Sequence, residues 1–285
     1  MNSDWDRMAP SVWRRGGDSP ALAVVGSMHG DEAHGAQVIR ELLESGAQWA
    51  SNREVILAIG NPEAVEIGSR GTTPEADLNR LFAVDARNAG DSPEERRCRE
   101  LQDALQGAAS LLDLHQTSCT TPPLAVGPAT DEHLAQTARL GLRILVSGVE
   151  RVYGGGMISE WIDRRGGVGL AVETGQKGTE ASLEIARDVT RRFLTSREEE
   201  TGGDGKVRVY EITEAVCPPA SGLRFVRPLG NASSVVAGEV LGTTTGAPLR
   251  APGDGAIFLP REVSGTNRPC LLFARDMGLC APNVL

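Results

Sequence analysis

Short apolar runs alternate with longer amphipathic segments from Ala21 to about Leu194. The apolar runs predict strands, and the amphipathic segments have the spacing of helices that cover a sheet. This alternation is typical of an α/β fold with helices on both faces of the sheet. The predicted strands are residues 21–25, 54–59, 111–114, 124–126 and 169–172, and the predicted helices are residues 35–45, 93–106, 131–140 and 180–194.

One predicted helix carries a complete start signal. Ser92 has the side chain of a helix N-cap, Pro93 suits the first turn, and Glu95 closes a capping box. The sequence therefore predicts a helix that begins directly after Ser92.

The pattern changes near residue 200. Residues 197–206, REEETGGDGK, are charged and glycine-rich without apolar periodicity, which predicts a linker. From Val207 onward, short apolar runs are broken by proline and glycine, as expected for a small β-barrel or sandwich. We therefore expect an α/β domain over residues 1–200 and a small β domain over residues 207–285.

The composition argues against nucleic acids and membranes as partners. The formal net charge of -9 argues against binding to a nucleic-acid backbone, which favours basic proteins. No apolar run approaches the roughly 20 residues of a membrane span, and the first residues lack a signal-peptide pattern. We expect a cytoplasmic protein with no membrane partner. The five cysteines include no C-x-x-C pair, which indicates reduced thiols and no zinc ribbon.

Two motifs place potential metal ligands after apolar runs. AVVGSMHGDEAHG presents His29 and Glu32 after a strand, and LLDLHQTS presents His115 in the same context. Either motif alone is common by chance, but ligands in open α/β sheets gather at such strand ends. Catalytic zinc is often bound by two histidines and one carboxylate. We therefore predict that His29, Glu32 and His115 form a metal site. We expect His34 and His133 to be exposed to solvent and not to bind the metal.

A third strand ends in a carboxylate. Glu173 follows four apolar residues in GLAVETGQKG. Burial at a strand end would raise the pKa of this carboxyl group, which suits a general base that takes a proton from an attacking water. The alternative is a glutamate that forms a salt bridge or caps a helix.

The segments GNPEAVEIGSR and ADLNRLF bring Arg70, Asn79 and Arg80 into one loop region. Arginine binds carboxylates through a rigid bidentate fork, so this group predicts a clamp for a substrate carboxylate, although a loop arginine is usually just solvated. We expect Asp77 to hold one of these residues and Asp113 to orient a metal-binding histidine.

Read in order, GSMHGDE, GNPEAVEIGSR, DLNRLF, DLHQTS and VETG resemble the motif series of the succinylglutamate desuccinylase/aspartoacylase family, relatives of zinc carboxypeptidases. The resemblance covers about residues 20–180, and the remainder is similar only in being a small β domain. It implies a three-layer α/β/α catalytic domain with a mixed sheet and one Zn²⁺ per chain. The implied zinc ligands are His29, Glu32 and His115.

The resemblance also implies roles around the metal. Glu173 would be the general base, Arg70 would stabilise the oxyanion, and Asn79 with Arg80 would bind the substrate carboxylate. The spacer GTTPEA after Arg70 is longer than in the family pattern. An arginine shortly before the base is also implied, for which the candidates are Arg164 and Arg165, and Tyr210 is the candidate for an aromatic substrate contact.

The function implied is hydrolysis of an acetyl or succinyl group from a small N-acylated amino acid. A zinc carboxypeptidase that acts on peptides is the nearest alternative, since it shares the metal, the base and the carboxylate clamp. A non-catalytic binding protein on the same fold is the second alternative. The sequence leaves open whether the protein is a homo-oligomer.

Overall fold

The computed structural model describes residues 5–16, 19–45, 53–83, 90–195 and 205–282. Within these ranges, twelve strands form one mixed sheet and three more form a small second sheet. The strands are β1 (Asp6–Ala9), β2 (Val12–Arg15), β3 (Ser19–Gly26), β4 (Arg53–Ile59), β5 (Ala108–Thr117), β6 (Leu124–Val126), β7 (Ile144–Ser147), β8 (Val168–Gln176), β9 (Val207–Val216), β10 (Arg224–Phe225), β11 (Ser233–Val235), β12 (Val240–Thr243), β13 (Leu249–Arg250), β14 (Gly255–Phe258) and β15 (Leu271–Cys280).

Helices cover both faces of the main sheet, which confirms the three-layer α/β/α prediction. The helices that begin at residues 33, 131 and 180 contribute to one apolar core, and those that begin at residues 93 and 158 contribute to the core on the opposite face. None of the helices in the described ranges is long and apolar enough to cross a membrane. The helices are α1 (Ala33–Ser45), α2 (Pro62–Ile67), α3 (Pro93–Ala104), α4 (Asp131–Arg139), α5 (Val149–Tyr153), α6 (Ile158–Asp163) and α7 (Glu180–Thr195), with a 3-10 turn at Leu78–Arg80.

The centre of the sheet is parallel, in the order β4-β3-β5-β8. Successive side chains of a strand point to opposite faces, so strand β3 contributes to both cores. Leu22 and Val24 pack under α1, whereas Ala23 and Val25 pack toward α3. Because both faces are covered, the strand is a continuous apolar run. The parallel arrangement brings the carboxyl ends of these strands to one edge, where the predicted site residues lie.

Beyond β8 the next three strands of the main sheet run in the opposite direction. Strand β6 is antiparallel to β8, and β6, β7 and β9 then run parallel to one another. The C-terminal strands β9, β15, β14 and β11 continue the main sheet, while β10, β12 and β13 form the small second sheet. Val146 of β7 pairs with Tyr210 of β9. The main sheet therefore crosses the predicted boundary at residues 200–207, and the division into two domains stays a prediction.

The predicted linker at residues 197–206 lies mostly outside the described residues, which resume at residue 205. The C-terminal strands build an apolar core of their own against the small sheet, with Leu223, Leu241 and Phe273 among its members. A second apolar cluster joins β6 and β7 to β9, β14 and β15. The C-terminal strands thus pack tightly against β6 and β7.

Candidate metal centre and active site

Three potential metal ligands converge at the carboxyl edge of the sheet. His29 and Glu32 lie in the loop between β3 and α1, and His115 lies near the end of β5. One ligand atom from each lies within 4.8 Å of the other two, and all three residues are buried. Strands β3 and β5 are neighbours, with Gly26 opposite Leu114. The loop after β3 and the end of β5 therefore lie side by side.

The β3–α1 loop is held in an unusual conformation. Ser27 has a φ of 56°, in the left-handed region that non-glycine residues rarely adopt. Its hydroxyl donates to the Glu32 carbonyl over 2.7 Å and accepts from the Ala36 amide over 2.9 Å, which caps the start of α1. Such strain persists only where surrounding bonds fix it, and here those bonds fix the turn that carries both ligands.

Gly30 lets this loop approach helix α2 closely. A Cβ atom at Gly30 would lie 2.0 Å from the carbonyl carbon of Ala64, which no side chain can tolerate. The Gly30 amide also donates to the Arg70 carbonyl over 3.3 Å. The loop of the metal ligands is therefore packed directly against the loop that carries Arg70.

We expect Gly30→Ala to displace His29 and Glu32 and to weaken the binding of a divalent metal ion at these residues about 10- to 100-fold, the cost of disturbing a residue that positions metal ligands. The metal content after dialysis against a divalent cation, measured by mass spectrometry, should fall. Gly107→Ala is the matched control, because a Cβ there meets nothing within 4 Å. A normal metal content in Gly30→Ala would show that the close packing does not position His29 and Glu32.

Glu32 lies between the two imidazole rings. Its Oε1 is 2.9 Å from Nδ1 of His29, and its Oε2 is 2.8 Å from Nδ1 of His115. The opposite ring nitrogens face other carboxylates: Nε2 of His29 lies 3.2 Å from Asp77, and Nε2 of His115 lies 2.7 Å from Asp113. With a metal on the Nδ1 side, Asp77 and Asp113 would hold the proton on Nε2 of each ring, as carboxylates do when they orient histidine ligands.

The donor set fits a cation. Three carboxylates surround the two imidazoles, and two Nδ1 lone pairs and Glu32 point at one spot. Burial alone would raise the pKa of Glu32, but His115 and His29 hold it well below its usual value. Asp113 and Glu32 raise the pKa of His115 well above its usual value, although burial opposes them. The site therefore favours positive charge, which a divalent metal supplies without protonating the ligands.

Arg70 is anchored beside the ligands. Its Nε and Nη2 both donate to Oδ2 of Asp77, over 3.2 and 2.8 Å. The other oxygen of Asp77 accepts from Asn79 N and faces His29. His29 and Arg70 hold the pKa of Asp77 far below its usual value, against the effect of burial. Asp77 thus holds Arg70, as expected from the sequence, and it also contacts the predicted ligand His29.

The loop after Arg70 is tied to helix α3. The Thr72 amide and hydroxyl both donate to the buried carboxylate of Glu94, over 2.7 and 2.8 Å. Asn61, the N-cap of α2, donates to the same carboxylate over 3.3 Å. These bonds fix the loop that places Arg70 at the metal edge.

Asn79 and Arg80 have different surroundings. The Asn79 amide group lies against Asp113 and His115, and its oxygen accepts from the Ile158 amide over 2.9 Å. Arg80 donates to the Asn79 carbonyl over 2.7 Å, and its guanidinium lies 5.1 Å from the centre of the Tyr153 ring. Among the described residues, Arg80 forms no salt bridge, so its charge faces the cavity without a carboxylate partner.

Glu173 lies beside His115 in the sheet, because the two residues are paired in the register of β5 and β8. Burial raises its pKa to about 7, and the nearby Glu32 carboxylate adds to the rise while His115 opposes it. Within the described residues, Oε2 of Glu173 is buried without a hydrogen-bond partner. A carboxyl group with these properties can both accept and return a proton near neutral pH.

The structure does not bring Arg164 and Arg165 to this site. Both lie after helix α6, and neither lines the cavity that contains Glu173. Arg164 donates to the Phe82 carbonyl, and Arg165 lies 4.8 Å from the centre of the Trp161 ring. Tyr210 is also outside the cavity lining and packs its ring against Phe258.

The remaining histidines are held by hydrogen bonds. The expectation that His133 is exposed is wrong: it is 5% exposed, because Thr130 and Asp163 bind its two ring nitrogens over 2.8 and 3.0 Å. His34 is half-buried, and its Nδ1 lies 2.8 Å from Nε2 of Gln116. Neither belongs to the group of metal ligands in the described residues.

Sequence reasoning missed two residues at the site. The Gln116 amide donates to Oε2 of Glu32 over 3.1 Å, which adds a backbone bond to the ligand carboxylate. Lys177 lies 3.8 Å from Oε1 of Glu32, and its ammonium donates to Asp31 over 2.5 Å. A signal was available for both, since Gln116 directly follows His115 and Lys177 directly follows β8, the strand that carries Glu173.

These groups line one cavity of about 490 Å³. This volume lies in the range of sites for small molecules. A model of the succinylglutamate desuccinylase/aspartoacylase catalytic domain matches residues 18–195, more than half of the chain. The chain belongs to this family. Its members are hydrolases of acylated amino acids, so the resemblance seen in the five motifs is confirmed.

Solved structures of the desuccinylase/aspartoacylase fold align over nearly the whole chain. The succinylglutamate desuccinylase from Chromobacterium violaceum is 18% identical with a TM-score of 0.74, covering 94% of this chain and 89% of its own. A succinylglutamate desuccinylase/aspartoacylase from Rhodobacter sphaeroides is 20% identical with a TM-score of 0.73, covering 93% and 89%. Murine aminoacylase 3 is 17% identical with a TM-score of 0.68, covering 93% and 99%. At these identities the likeness shows the shared fold, including the C-terminal strands.

Proposed function

We propose that this protein is a zinc-dependent amidohydrolase that removes an acyl group, acetyl or succinyl, from a small N-acylated amino acid. The observation that carries the proposal is the convergence of His29, Glu32 and His115 beside Glu173 in one cavity. Family membership supports a hydrolase of this type. The cavity also holds Arg80, a cation suited to the carboxylate that such a substrate carries.

Zinc is the metal that suits the ligands. Two imidazole nitrogens and one carboxylate are a common ligand set for catalytic zinc, with a further position left for water or substrate. His29, Glu32 and His115 would hold one ion per chain, and Asp77 and Asp113 would orient the imidazoles. When bound, zinc supplies Lewis-acid chemistry for attack on the amide carbonyl.

The protein residues have separate tasks in this proposal. Glu173 takes a proton from the attacking water and returns it to the leaving nitrogen, for which its pKa of about 7 is suited. Arg70, fixed by Asp77, stabilises the negative charge that develops on the carbonyl oxygen. Asn79 supports Asp113 and the start of α6 by its hydrogen bonds, so we assign carboxylate binding mainly to Arg80.

Arg80→Ala should raise KM about 10- to 100-fold for substrates with a free carboxylate, the loss expected for a hydrogen bond to a charged group. The kcat value should change less, because Arg80 binds the substrate away from the reacting bond. Steady-state kinetics on an N-acyl amino acid and on its methyl ester would measure both effects, since the ester lacks the carboxylate that Arg80 binds.

Arg165→Ala is the matched control, because this arginine lies over Trp161 outside the cavity. Its KM should equal that of the unchanged protein. A KM that rises only in Arg165→Ala would move the carboxylate site to the end of α6 and contradict the assignment of Arg80.

The function itself is tested by proton NMR of the zinc-loaded protein with a pool of N-acetyl, N-formyl and N-succinyl amino acids. Release of the free acid, abolished by a chelator and restored by zinc, is the expected result. Cleavage of C-terminal residues from peptides, with no release from the pool, would support a carboxypeptidase in its place. Zinc binding without turnover of either class would support a non-catalytic binding protein.

A further inference from the structure

The cavity has two unlike sides. One carries the metal ligands, Glu173 and the arginines. The other is built by strands β6, β7, β9, β14 and β15 together with the start of α5. We call this side the apolar wall; its residues are Leu124, Val126, Val146, Val149, Ile212, Phe258 and Leu272.

The apolar wall is part of an apolar cluster that joins the C-terminal strands to the central sheet. Val126 and Val149 are half-buried and pack against this cluster, so they give the wall its accessible surface, whereas Ile212, Leu124 and Phe258 are only 0%, 2% and 3% exposed. The accessible surface of this side is therefore apolar. An apolar group placed there leaves water and gains close contacts, whereas a carboxylate would lose its hydration without a partner.

The cations of the cavity do not compensate for such a loss. Arg70 is bound to Asp77, and Lys177 is bound to Asp31. Arg261 lines the same cavity but is exposed to solvent, which screens its attraction for a carboxylate. Arg80 remains as the cation near the ligands without a salt bridge in the described residues. The site thus provides one strong carboxylate position.

Resting on the proposed function, we propose that the preferred substrates carry one carboxylate and one uncharged apolar group that packs on the apolar wall. They are N-acyl amino acids with either an apolar side chain or an apolar acyl chain. Dicarboxylic substrates such as N-acetylaspartate or N-succinylglycine should be poorer. Hydrolysis consumes one water and yields a free carboxylic acid and a free amino acid in each case.

The test compares kcat/KM of the zinc-loaded protein for N-acetylglycine, N-acetylleucine, N-acetylphenylalanine, N-hexanoylglycine, N-acetylaspartate and N-succinylglycine. At least one apolar substrate should exceed both dicarboxylic substrates by about 10-fold or more, as a filled hydrophobic pocket discriminates. A gain for N-acetylleucine over N-acetylglycine assigns the wall to the side chain, and a gain for N-hexanoylglycine assigns it to the acyl chain.

Highest activity on a dicarboxylic substrate would overturn the inference and leave the deacylase function standing. No turnover of any of the six compounds would overturn both. The two failures are therefore distinguishable.

A charge on the wall provides a second test. Val149→Lys places a cation at the wall from a half-buried position on α5, so kcat/KM should fall for apolar substrates and rise for dicarboxylic ones, reversing the ratio by about 10-fold or more. Val152→Lys is the matched control, because Val152 is half-buried on the same helix but does not line the cavity. A gain in activity cannot result from misfolding, and an unchanged ratio in Val149→Lys would contradict the proposal.

Discussion

Replacing Glu173 by glutamine should lower kcat about 10²- to 10⁴-fold, the contribution typical of a positioned acid or base. Glutamine keeps the size of the side chain and its place beside His115 on β8, but it cannot accept a proton from water. The metal ligands are unchanged, so the variant should retain its zinc. Single-turnover kinetics and metal analysis of the same preparation would measure both quantities.

Glu41→Gln is the matched control, because Glu41 pairs with Arg187 at the contact of α1 and α7, away from the cavity. It should retain full activity. If zinc were lost together with activity in Glu173→Gln, Glu173 would be a ligand, and unchanged kcat would assign the proton transfer to another group.

The site was predictable where it depends on local pattern. His29, Glu32, His115 and Glu173 each follow an apolar run, and parallel strands bring such ends to one edge of a sheet. The start of helix α3 was equally local: Ser92 and Glu95 form the predicted capping box. In these cases the nearest neighbours in the chain carry the structural information.

What the sequence could not predict depends on contacts between distant segments. His133 is buried because Asp163, thirty residues away, binds its ring. Arg164 and Arg165 follow a helix that ends at the opposite end of β8 from Glu173, so closeness in sequence did not bring them to the site. Strands β1 and β2 were missed because half of their residues are charged, so neither forms an apolar run.

The apolar wall shows the same limit. Leu124 and Leu272 lie in one cluster only because β9 and β15 extend the central sheet. No local pattern predicts that a C-terminal strand will line the cavity formed by the N-terminal motifs. The contribution of the C-terminal part to the site therefore depends on the tertiary structure and cannot be predicted from any single segment.

His115→Ala should abolish zinc binding, and with it turnover. The change removes one of two imidazole ligands and leaves Asp113 and Glu32 buried without the group between them. Two buried carboxylates without a cationic partner repel each other, so the remaining ligands should also move. The loss of zinc affinity should exceed the roughly 10- to 100-fold that removal of a supporting residue costs. Competition with a fluorescent chelator would measure it.

Asp113→Asn provides the graded comparison. Asparagine still offers an oxygen to Nε2 of His115, but without the negative charge that strengthens the imidazole as a ligand. This variant should lose about 10- to 100-fold in zinc affinity and recover activity when zinc is in excess. His115→Ala should not recover under the same conditions, because the ligand itself is missing. Equal rescue of the two variants would mean that His115 supports the site without binding the metal.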